Sequence, residues 1–294
     1  MRVSLIDVDS KIPNLALMKI SAYHKQKGDS VGINLSDPDQ VYISCIFSKN
    51  KQQAIGISKM FSCLVNIGGY GVNDNRLPDY IEHVKPDYDL YHCDYSLGFT
   101  TRGCIRKCSF CKVPIKEGMI RINCDLYEFW DQRHKHIVLL DNNILALPEH
   151  FKKIAKQLVK NNLSVDFNQG LDIRLIDHDN AEILSKLKVK PTLRFAWDDI
   201  KDESRVRASI STLIHHRINT SFFYVLVGYN STKEEDLHRL NLLKELNQRA
   251  YVMRYESCRG IRWYNDLAAW ANQQQFFMDR SFEKFVEDRH AKSC

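Results

Sequence analysis

Three cysteines in the middle of the sequence lie close enough together to share one metal centre. Cys104, Cys108 and Cys111 belong to the segment GCIRKCSFC, residues 103–111. Structural zinc sites normally use four ligands, often as two separated cysteine pairs. Three cysteines on one loop instead suit a cubane iron-sulfur cluster in which one iron has no protein ligand. The segment therefore favours a cluster whose open iron can chelate a substrate or a cofactor.

The overall composition agrees with reduced thiols. The chain has 9 cysteines, an odd number, and its first residues, MRVSLIDVDSKIPN, do not resemble an export signal. We therefore expect a reduced, cytoplasmic setting in which clustered cysteines serve metal binding or catalysis. No stretch is apolar enough to span a bilayer, so no membrane association is expected. The formal net charge of +6 permits an anionic substrate without requiring one.

The elements that would position the cysteines follow a βα rhythm. Strand-like segments from residue 95 onward begin about thirty residues apart, the length of a βα unit. Helix signals lie between them, such as Pro148 at the start of PEHFKKIAKQLVK and a capping box of Ser231 with Glu234. Six such units predict a partial (β/α)6 barrel over residues 93–257, with functional groups at the carboxyl ends of the strands. The predicted strands are 95–99, 136–140, 164–167, 192–196, 222–227 and 250–253.

Different patterns precede and follow this predicted barrel. Residues 1–92 contain strand-like runs and a helical segment that stops at Gly28, which predicts a small doubly wound, Rossmann-like α/β domain. Residues 258–294 are helical in pattern and rich in arginine and aromatic residues, so they predict a helical tail that closes one edge of the barrel. The N-terminal strand predictions are 3–6, 31–33, 41–43, 64–67 and 90–91.

The cysteine segment resembles the motif of the radical S-adenosylmethionine superfamily. That motif is C-x3-C-x2-C with an aromatic residue before the last cysteine, which is Phe110 in this chain, and it follows the first barrel strand. The resemblance implies that Cys104, Cys108 and Cys111 bind a [4Fe-4S] cluster. S-adenosylmethionine would chelate the fourth iron through its amino and carboxylate groups, with Phe110 beside it.

The same resemblance implies a reaction. An electron, supplied by a donor such as flavodoxin or ferredoxin, would cleave S-adenosylmethionine into methionine and a 5'-deoxyadenosyl radical. The radical would abstract hydrogen from a small-molecule or nucleotide-like substrate. A barrel suits this chemistry because it shields the radical from water.

Other residues at the predicted strand ends are candidates for cofactor or substrate contacts. Asp141 and Asn142 end the second barrel strand, where the superfamily often has a Gly-Gly-Glu-like segment that binds the cofactor's amino group. A simple Asx turn explains them equally well. Gln169, Asp172 and Arg174 follow the third strand. The alternative is that Asp172 and Arg174 only pair with each other.

Three further candidates lie on the last three predicted strands. Arg194, inside the fourth, can bind a carboxylate with two hydrogen bonds, or can form a structural ion pair. Gly228 follows the fifth strand, where the superfamily contacts adenine through the backbone, although an ordinary strand-to-helix turn also explains it. Tyr255, at the end of the sixth strand, is a candidate by position alone.

The N-terminal domain resembles the cobalamin-binding domain that precedes the barrel in one branch of the superfamily. The signature D-x-H-x-x-G is incomplete, because the segment that begins at Asp7 has neither the histidine nor the glycine. Cobalamin without a histidine ligand stays open. Methylthiotransferases carry a second cluster in a comparable domain, and Cys45, Cys63 and Cys93 near three predicted strand ends raise that hypothesis. The alternative is that these cysteines are small buried hydrophobes.

Two further functions compete with the leading one. The first is modification of a nucleic acid, as in a methylthiotransferase, with cationic and stacking groups in the tail. The alternative for the tail is helices that pack on the barrel. The second is a sensor or interaction module without turnover, holding iron-sulfur or a zinc ion with Cys124 or a histidine as the fourth ligand. The tail residues in question are Arg259, Arg262, Trp263, Tyr264, Trp270, Phe276 and Phe277.

Overall fold

The computed structural model of the protein describes residues 1–73 and 75–291, and it has an α/β fold with several parallel sheets. Two compact units divide the chain. Unit 1 contains Met1–Thr100 and Asn123–Val138, and unit 2 contains Thr101–Ile122 and the chain from Leu139 onward. The cysteine segment belongs to unit 2.

The described residues form fourteen strands and twelve α-helices. The strands are β1 (Arg2–Asp7), β2 (Ser30–Ile33), β3 (Gln40–Ser44), β4 (Leu64–Gly68), β5 (Ser96–Gly98), β6 (Thr101–Arg102), β7 (Arg121–Ile122), β8 (His136–Leu139), β9 (Ser164–Phe167), β10 (Leu171–Asp172), β11 (Lys188–Val189), β12 (Arg194–Ala196), β13 (Phe222–Val227) and β14 (Arg249–Arg254). The helices are α1 (Leu15–Gln26), α2 (Lys51–Ser58), α3 (Asp79–Glu82), α4 (Val113–Lys116), α5 (Leu126–Phe129), α6 (Pro148–Lys160), α7 (His178–Lys186), α8 (Glu203–His215), α9 (Lys233–Glu245), α10 (Arg262–Ala271), α11 (Gln274–Asp279) and α12 (Phe282–Ala291).

Unit 1 is built on a parallel sheet with the strand order β2-β1-β3-β4. Successive residues of a strand point to opposite faces. Accordingly, Leu5 of β1 packs in one core cluster with Leu17 of α1, whereas its neighbour Ile6 packs in another with Ala54 of α2. Helices therefore cover both faces of the sheet, as expected for a doubly wound domain.

One of the five strands predicted in this domain is wrong. Residues 90–91 lie in a 3-10 turn, Tyr88–Tyr91, and not in a strand. The tyrosine side chains of this segment are held by polar partners: the Tyr88 hydroxyl donates to the carbonyl of Phe129 at 2.6 Å, and the Tyr91 hydroxyl donates to Asp7 at 2.7 Å. The two apolar residues 90–91 would bury too little side-chain surface as a strand to outweigh the hydrogen bonds that these tyrosines make in the turn.

In unit 2, strands β10, β12, β13 and β14 pair in parallel in that order, and β9 pairs in parallel with β11. All six strand segments predicted for the barrel are strands, as β5, β8, β9, β12, β13 and β14. A partial barrel of six βα units was expected, and in the structure β12 has β10 and not β9 as its neighbour on one side. An ion pair between Arg194 of β12 and Asp166 of β9 connects these two strands instead.

The start of α9 differs from its prediction by one residue. Thr232, and not Ser231, is the N-cap, and its side chain exchanges hydrogen bonds with Glu235 in a capping box. The Ser231 hydroxyl donates instead to the buried carboxylate of Asp236 at 2.7 Å. The predicted box with Glu234 fails because Ser231 has a partner inside the core.

The tail covers the free edge of β14, the last strand of the sheet β10-β12-β13-β14. The Asn272 side chain accepts a hydrogen bond from the backbone N–H of Val252 at 2.6 Å and donates to its carbonyl at 3.3 Å. Gln274 donates to the carbonyl of Ala250 at 2.8 Å. These amide side chains satisfy backbone groups that an uncovered edge strand would expose.

The aromatic residues of the tail are largely interior. Tyr264, Trp270 and Phe277 are buried, so they are not available for stacking on nucleic-acid bases. This favours the packing interpretation of the tail over the nucleic-acid one. Residues 292–294, which the tail prediction includes, lie outside the described residues. In the described ranges every helix is too short or too polar to cross a bilayer.

A fully buried ion pair joins α9 to the ends of β12 and β13. Arg239 and Asp236 are both 0% exposed and form a salt bridge at 2.5 Å. The Arg239 guanidinium also donates to the carbonyls of Trp197 and Leu226 at 2.7 and 2.8 Å. The Asp236 carboxylate also accepts the backbone N–H of Gly228 at 2.8 Å.

Replacing Arg239 by methionine is expected to lower the free energy of unfolding by about 3–5 kcal/mol, because the Asp236 charge would stay buried without its partner. Urea unfolding followed by circular dichroism measures this. Arg207→Met, which removes an exposed pair with Glu203 on α8, should change the value by less than about 1 kcal/mol. Equal effects of the two variants would contradict the assigned role of Arg239.

Candidate metal centre

The three cysteines lie on a loop closed by a short antiparallel ribbon. Strand β6 pairs with β7, with Arg102 opposite Arg121. Gly103 follows β6 with φ +82°, and a Cβ there would overlap the backbone of Gly118 and Met119. The N–H of Cys104 donates to the Gly118 carbonyl at 3.2 Å. The ribbon therefore fixes the first cysteine at its base.

Asp141, two residues beyond the end of β8, anchors the start of this loop. Its buried carboxylate accepts hydrogen bonds from the backbone N–H and the hydroxyl of Thr101 at 2.5 and 2.6 Å. Bonds to a charged acceptor are stronger than bonds between neutral groups. In this structure Asp141 holds the cysteine-bearing ribbon in place, and its predicted role as a cofactor contact stays a prediction. Asn142 beside it is half-buried.

The sulfur of Cys104 receives two hydrogen bonds. The backbone N–H of Arg106 donates to it at 3.3 Å, and the side-chain amide of Asn143 donates at 3.7 Å. N–H donors at cysteine sulfur are among the features that tune an iron-sulfur cluster. The thiol groups of Cys104, Cys108 and Cys111 are free and half-buried. They are therefore accessible to a metal centre.

Electrostatics couple Cys108 to its neighbours. Burial raises the pKa of the Cys108 thiol, the nearby Arg174 opposes this, and Cys111, Asp198 and Cys104 add smaller increases. Cys108 therefore lies within electrostatic range of both other cysteines of the loop. Because metals bind thiolates, metal loading at this loop would release protons.

Asn143 is a site residue that sequence reasoning missed. Its amide nitrogen contacts Cys104 and also donates to the Asp172 carboxylate at 3.4 Å. Its amide oxygen is buried and has no hydrogen-bond partner among the described residues. A buried acceptor left unpaired costs about 1–3 kcal/mol. The only sequence signal was its position directly after Asp141 and Asn142, at a strand's carboxyl end.

Asp172 joins the cysteine loop to the end of β10. Its carboxylate accepts hydrogen bonds from the side chains of Arg106 at 2.9 Å and Arg174 at 2.7 Å. Burial alone would raise the pKa of Asp172, but the hydrogen bonds and charges of Arg174 and Arg106 outweigh it, and the pKa lies below its ordinary value. Arg174 also pairs with Asp202 at 3.1 Å. The predicted Asp172–Arg174 pair is thus part of a larger network that includes the cysteine loop.

An aromatic group lies on the other side of the loop. The ring of Phe110 contacts Tyr229 edge-on at 5.2 Å between centroids, and Tyr229 contacts Tyr255 at 4.7 Å. The Tyr229 hydroxyl is 2.5 Å from the hydroxyl of Ser109. The structure therefore brings Phe110 and Tyr255 together through Tyr229, which the sequence reasoning did not select.

Gly228, next to Tyr229, has a packing reason for its identity. Its φ is +71°, and a Cβ would overlap the Cys258 sulfur and approach the Tyr264 ring. Its backbone therefore passes close to buried side chains at the end of β13. A glycine contact to adenine stays a prediction.

Two other predicted contacts have partners elsewhere. Gln169 is exposed and its amide donates to Asn168 at 3.4 Å. Arg194 forms the ion pair with Asp166 described above. For Arg194 the structural ion pair, one of the two alternatives from the sequence, is what the structure contains.

The remaining cysteines of unit 1 have local partners. Cys45 is fully buried in an apolar cluster against which Cys63 also packs, and burial raises the pKa of Cys45 and of Cys93. The Cys124 thiol donates to the carbonyl of Phe99 at 3.1 Å. Cys45 thus fits a small buried hydrophobe, Cys63, Cys93 and Cys124 are half-buried, and a second cluster stays a hypothesis.

Asp9 lies at the point in unit 1 where a doubly wound sheet usually binds its ligand. This switch point is between the carboxyl ends of β1 and β3. The Asp9 carboxylate accepts the backbone N–H groups of Ile46 and Phe47 at 2.7 and 3.0 Å, and the Asn50 amide at 2.8 Å. Asp9 thus uses donors that a ligand at this edge would otherwise bind, at the position where a cobalamin signature has its histidine.

Replacing Asp172 by asparagine is expected to lower the free energy of unfolding by about 1.5–3 kcal/mol at pH 7, because two arginines lose a charged acceptor. The folded-state pKa lies below the unfolded value of about 3.9. The carboxylate therefore stabilises the fold above about pH 4, and this contribution is lost as the pH falls through the folded-state pKa.

Urea unfolding of both proteins at several pH values tests this. The difference between wild type and Asp172→Asn should shrink as the solution is acidified. Asp37→Asn, at an exposed position in unit 1, should stay within about 0.5 kcal/mol of wild type. A difference for Asp172→Asn that does not depend on pH would rule out the charged network as its cause.

Comparison with known proteins adds no family assignment. No protein-family model and no curated protein sequence matches the chain. The cysteine loop and the residues around it are therefore the features that bear on the function of the protein.

Proposed function

We propose that this chain is a radical S-adenosylmethionine enzyme. The observation that carries the proposal is the loop of Cys104, Cys108 and Cys111, with half-buried free thiols and two N–H donors at one sulfur. Its spacing and the aromatic Phe110 match the superfamily motif. The proposed fold around it is a partial barrel formed by the six strands that the sequence predicted.

The residues present fit a [4Fe-4S] cluster with one open iron. The three thiols would hold three irons, and Arg106 and Asn143 donate hydrogen bonds to the Cys104 sulfur. When bound, such a cluster supplies the electron for reductive cleavage of S-adenosylmethionine to methionine and a 5'-deoxyadenosyl radical. The radical would abstract hydrogen from a small-molecule or nucleotide-like substrate.

Asn143 supports the presence of a ligand beside the loop. Its buried amide oxygen has no donor in the described part of the chain, whereas its nitrogen is fixed by Cys104 and Asp172. An ammonium or hydroxyl group of S-adenosylmethionine would satisfy this oxygen. Asp172 and Arg174 hold Asn143 and Arg106 in place, so they act as positioning residues.

The aromatic group would exclude water from the reacting centre. The ring of Tyr229 contacts Phe110 on the cysteine loop edge-on, and it contacts Tyr255 edge-on as well. The Ser109–Tyr229 hydrogen bond ties this group to the cysteine loop. Exclusion of water protects a reactive radical from side reactions.

The cysteine segment also has the charge expected for docking an acidic electron donor. Residues 101–122 contain six Lys or Arg and one Glu, a net charge of +5 in a chain of net charge +6. Ile115, Met119 and Ile122 on the same segment are exposed. A cationic surface with apolar side chains beside the cluster suits a flavodoxin- or ferredoxin-like protein.

Anaerobically reconstituted protein reduced with dithionite is expected to form 5'-deoxyadenosine from S-adenosylmethionine, measured by mass spectrometry. Cys108→Ala should abolish this product, because the cluster would lose one of its three protein ligands. Cys63→Ala, which removes a half-buried cysteine of unit 1, is the matched control and should retain it.

Two outcomes would oppose the proposal. Undiminished product from Cys108→Ala would show that the loop is not the reacting centre. Iron and sulfide bound without any product, with candidate substrates present, would favour the cluster-bearing sensor. Zinc retained in place of iron would favour the zinc-binding module.

Charge reversal at Lys107 and Lys112, both exposed, is expected to slow reduction by a flavodoxin about tenfold at low salt, because electrostatic steering raises association rates. The effect should vanish at high ionic strength, and reduction by dithionite should be unchanged. Lys156→Glu with Lys160→Glu on α6 gives the same change in net charge as a control. Stopped-flow absorbance at the cluster measures the rates, and equal slowing by both double variants would exclude local docking.

A further inference from the structure

Three histidines form a second cluster of metal-ligating groups in unit 2. His178 is the first residue of α7, His215 is the last residue of α8, and His216 follows it. Their ligand nitrogens all lie within 4.8 Å of one another. Two of the side chains are exposed and one is half-buried, so a metal ion can reach them from solvent.

The spacing of these nitrogens fits a tetrahedral ion. Nδ1 of His178 and Nε2 of His216 are 3.2 Å apart. Two nitrogens bound to tetrahedral zinc at 2.0–2.1 Å are about 3.3 Å apart. Adjacent rings meet at interplanar angles of 60–87°, so none of the pairs is stacked.

Carboxylates lie near the histidines, each within electrostatic range of a lysine: Lys186 for Glu182, and Lys152 for Asp177 and Asp179. The pKa of Glu182 on α7 is lowered, mainly by Lys186 and to a smaller extent by His216, which places its carboxylate within electrostatic range of the imidazoles. Asp177 and Asp179, both exposed, flank His178 in sequence. Neutral imidazole is a common ligand for zinc, nickel and copper ions.

We propose that His178, His215 and His216 form a binding site for one divalent transition-metal ion, with Zn²⁺ as the ion that the spacing fits best. Three protein nitrogens leave the fourth tetrahedral position to water. This site is separate from the cysteine loop in its ligands, and it depends neither on an iron-sulfur cluster nor on S-adenosylmethionine.

The metal would join two helices that support the Asp172 network. Arg205 of α8 donates to the carbonyls of Arg174 and Ile176 at 2.9 and 2.8 Å. His178 follows this segment at the start of α7. A bridge from His178 to the end of α8 would therefore hold the segment that carries Arg174 against α8.

Cobalt(II) is the probe, because its absorption distinguishes nitrogen from thiolate ligands. Wild-type protein is expected to bind one equivalent of cobalt that gives ligand-field bands without a thiolate charge-transfer band, in addition to any cobalt at the cysteine loop, which would show that band in wild type and histidine variants alike. His178→Gln and His216→Gln should each lose this equivalent. His238→Gln is the control and should retain it, because His238 is an exposed histidine of α9 that pairs with Glu203 of α8.

A second readout uses zinc alone. Zn²⁺ should raise the melting temperature of wild type and of His238→Gln more than that of His178→Gln or His216→Gln, because only the first two would bind the ion between α7 and α8. Circular dichroism without metal checks that all variants are folded. Cobalt spectra and zinc-dependent melting that are the same in wild type and in both cluster variants would overturn the proposal. Presence or absence of S-adenosylmethionine cleavage has no bearing on this result.

Discussion

The carboxylate of Asp172 is the interaction on which the arrangement around the cysteines depends. It is shared by Arg106 of the cysteine loop, Arg174 and Asn143. A buried carboxylate is costly unless its charge is compensated. Two guanidinium groups compensate it here, and in doing so they fix a loop of the ribbon to the end of a parallel strand. Further contacts join the loop to strand ends, namely those of Thr101 with Asp141, Cys104 with Asn143 and Ser109 with Tyr229.

The same network controls the charge near the thiols. Burial raises the pKa of the Cys108 thiol, while Arg174 acts in the opposite direction. An anionic centre held by three thiolates would sit among cations that are already positioned, on a segment that carries most of the chain's net positive charge. Carboxylates placed by the fold offset the repulsion between these cations. Asp172 pairs with Arg106 and Arg174, and Glu117 pairs with Arg102 at 3.2 Å.

Unit 1 shows how a sheet of this topology can satisfy its own ligand edge. Backbone N–H groups after β3 are the kind of donors that bind phosphate or other anions at a switch point. Asp9 supplies the anion from within the chain. Asp9 lies two residues after the end of β1, where the cobalamin signature has its histidine. Its hydrogen bonds to Ile46 and Phe47 hold the loop after β3 without that histidine.

The sequence by itself determined the described strands of three or more residues and several helices, whereas the two-residue strands β6, β7, β10 and β11 were not predicted. Periodicity identified all six strands later found as β5, β8, β9, β12, β13 and β14, and it identified α6 with its proline start, because alternation and helical spacing are local properties. Spacing alone also marked Cys104, Cys108 and Cys111, since three thiols within one loop restrict the chemistry without knowledge of the fold. The wrong strand at 90–91 and the shifted cap at Thr232 are places where a side chain found a distant partner.

Only the tertiary structure decided which polar residues meet. Asn143 and Tyr229 are ordinary residues in the sequence, and they became site residues because strand ends bring them to Cys104 and Phe110. Arg194 and Gln169 looked equivalent to Asp172 by position, yet the first pairs with Asp166 and the second faces solvent. His215 and His216 at the end of α8 are 37 and 38 residues from His178 in the sequence, and helix packing brings them to it. Such contacts depend on three-dimensional distance and desolvation, which local sequence patterns do not contain.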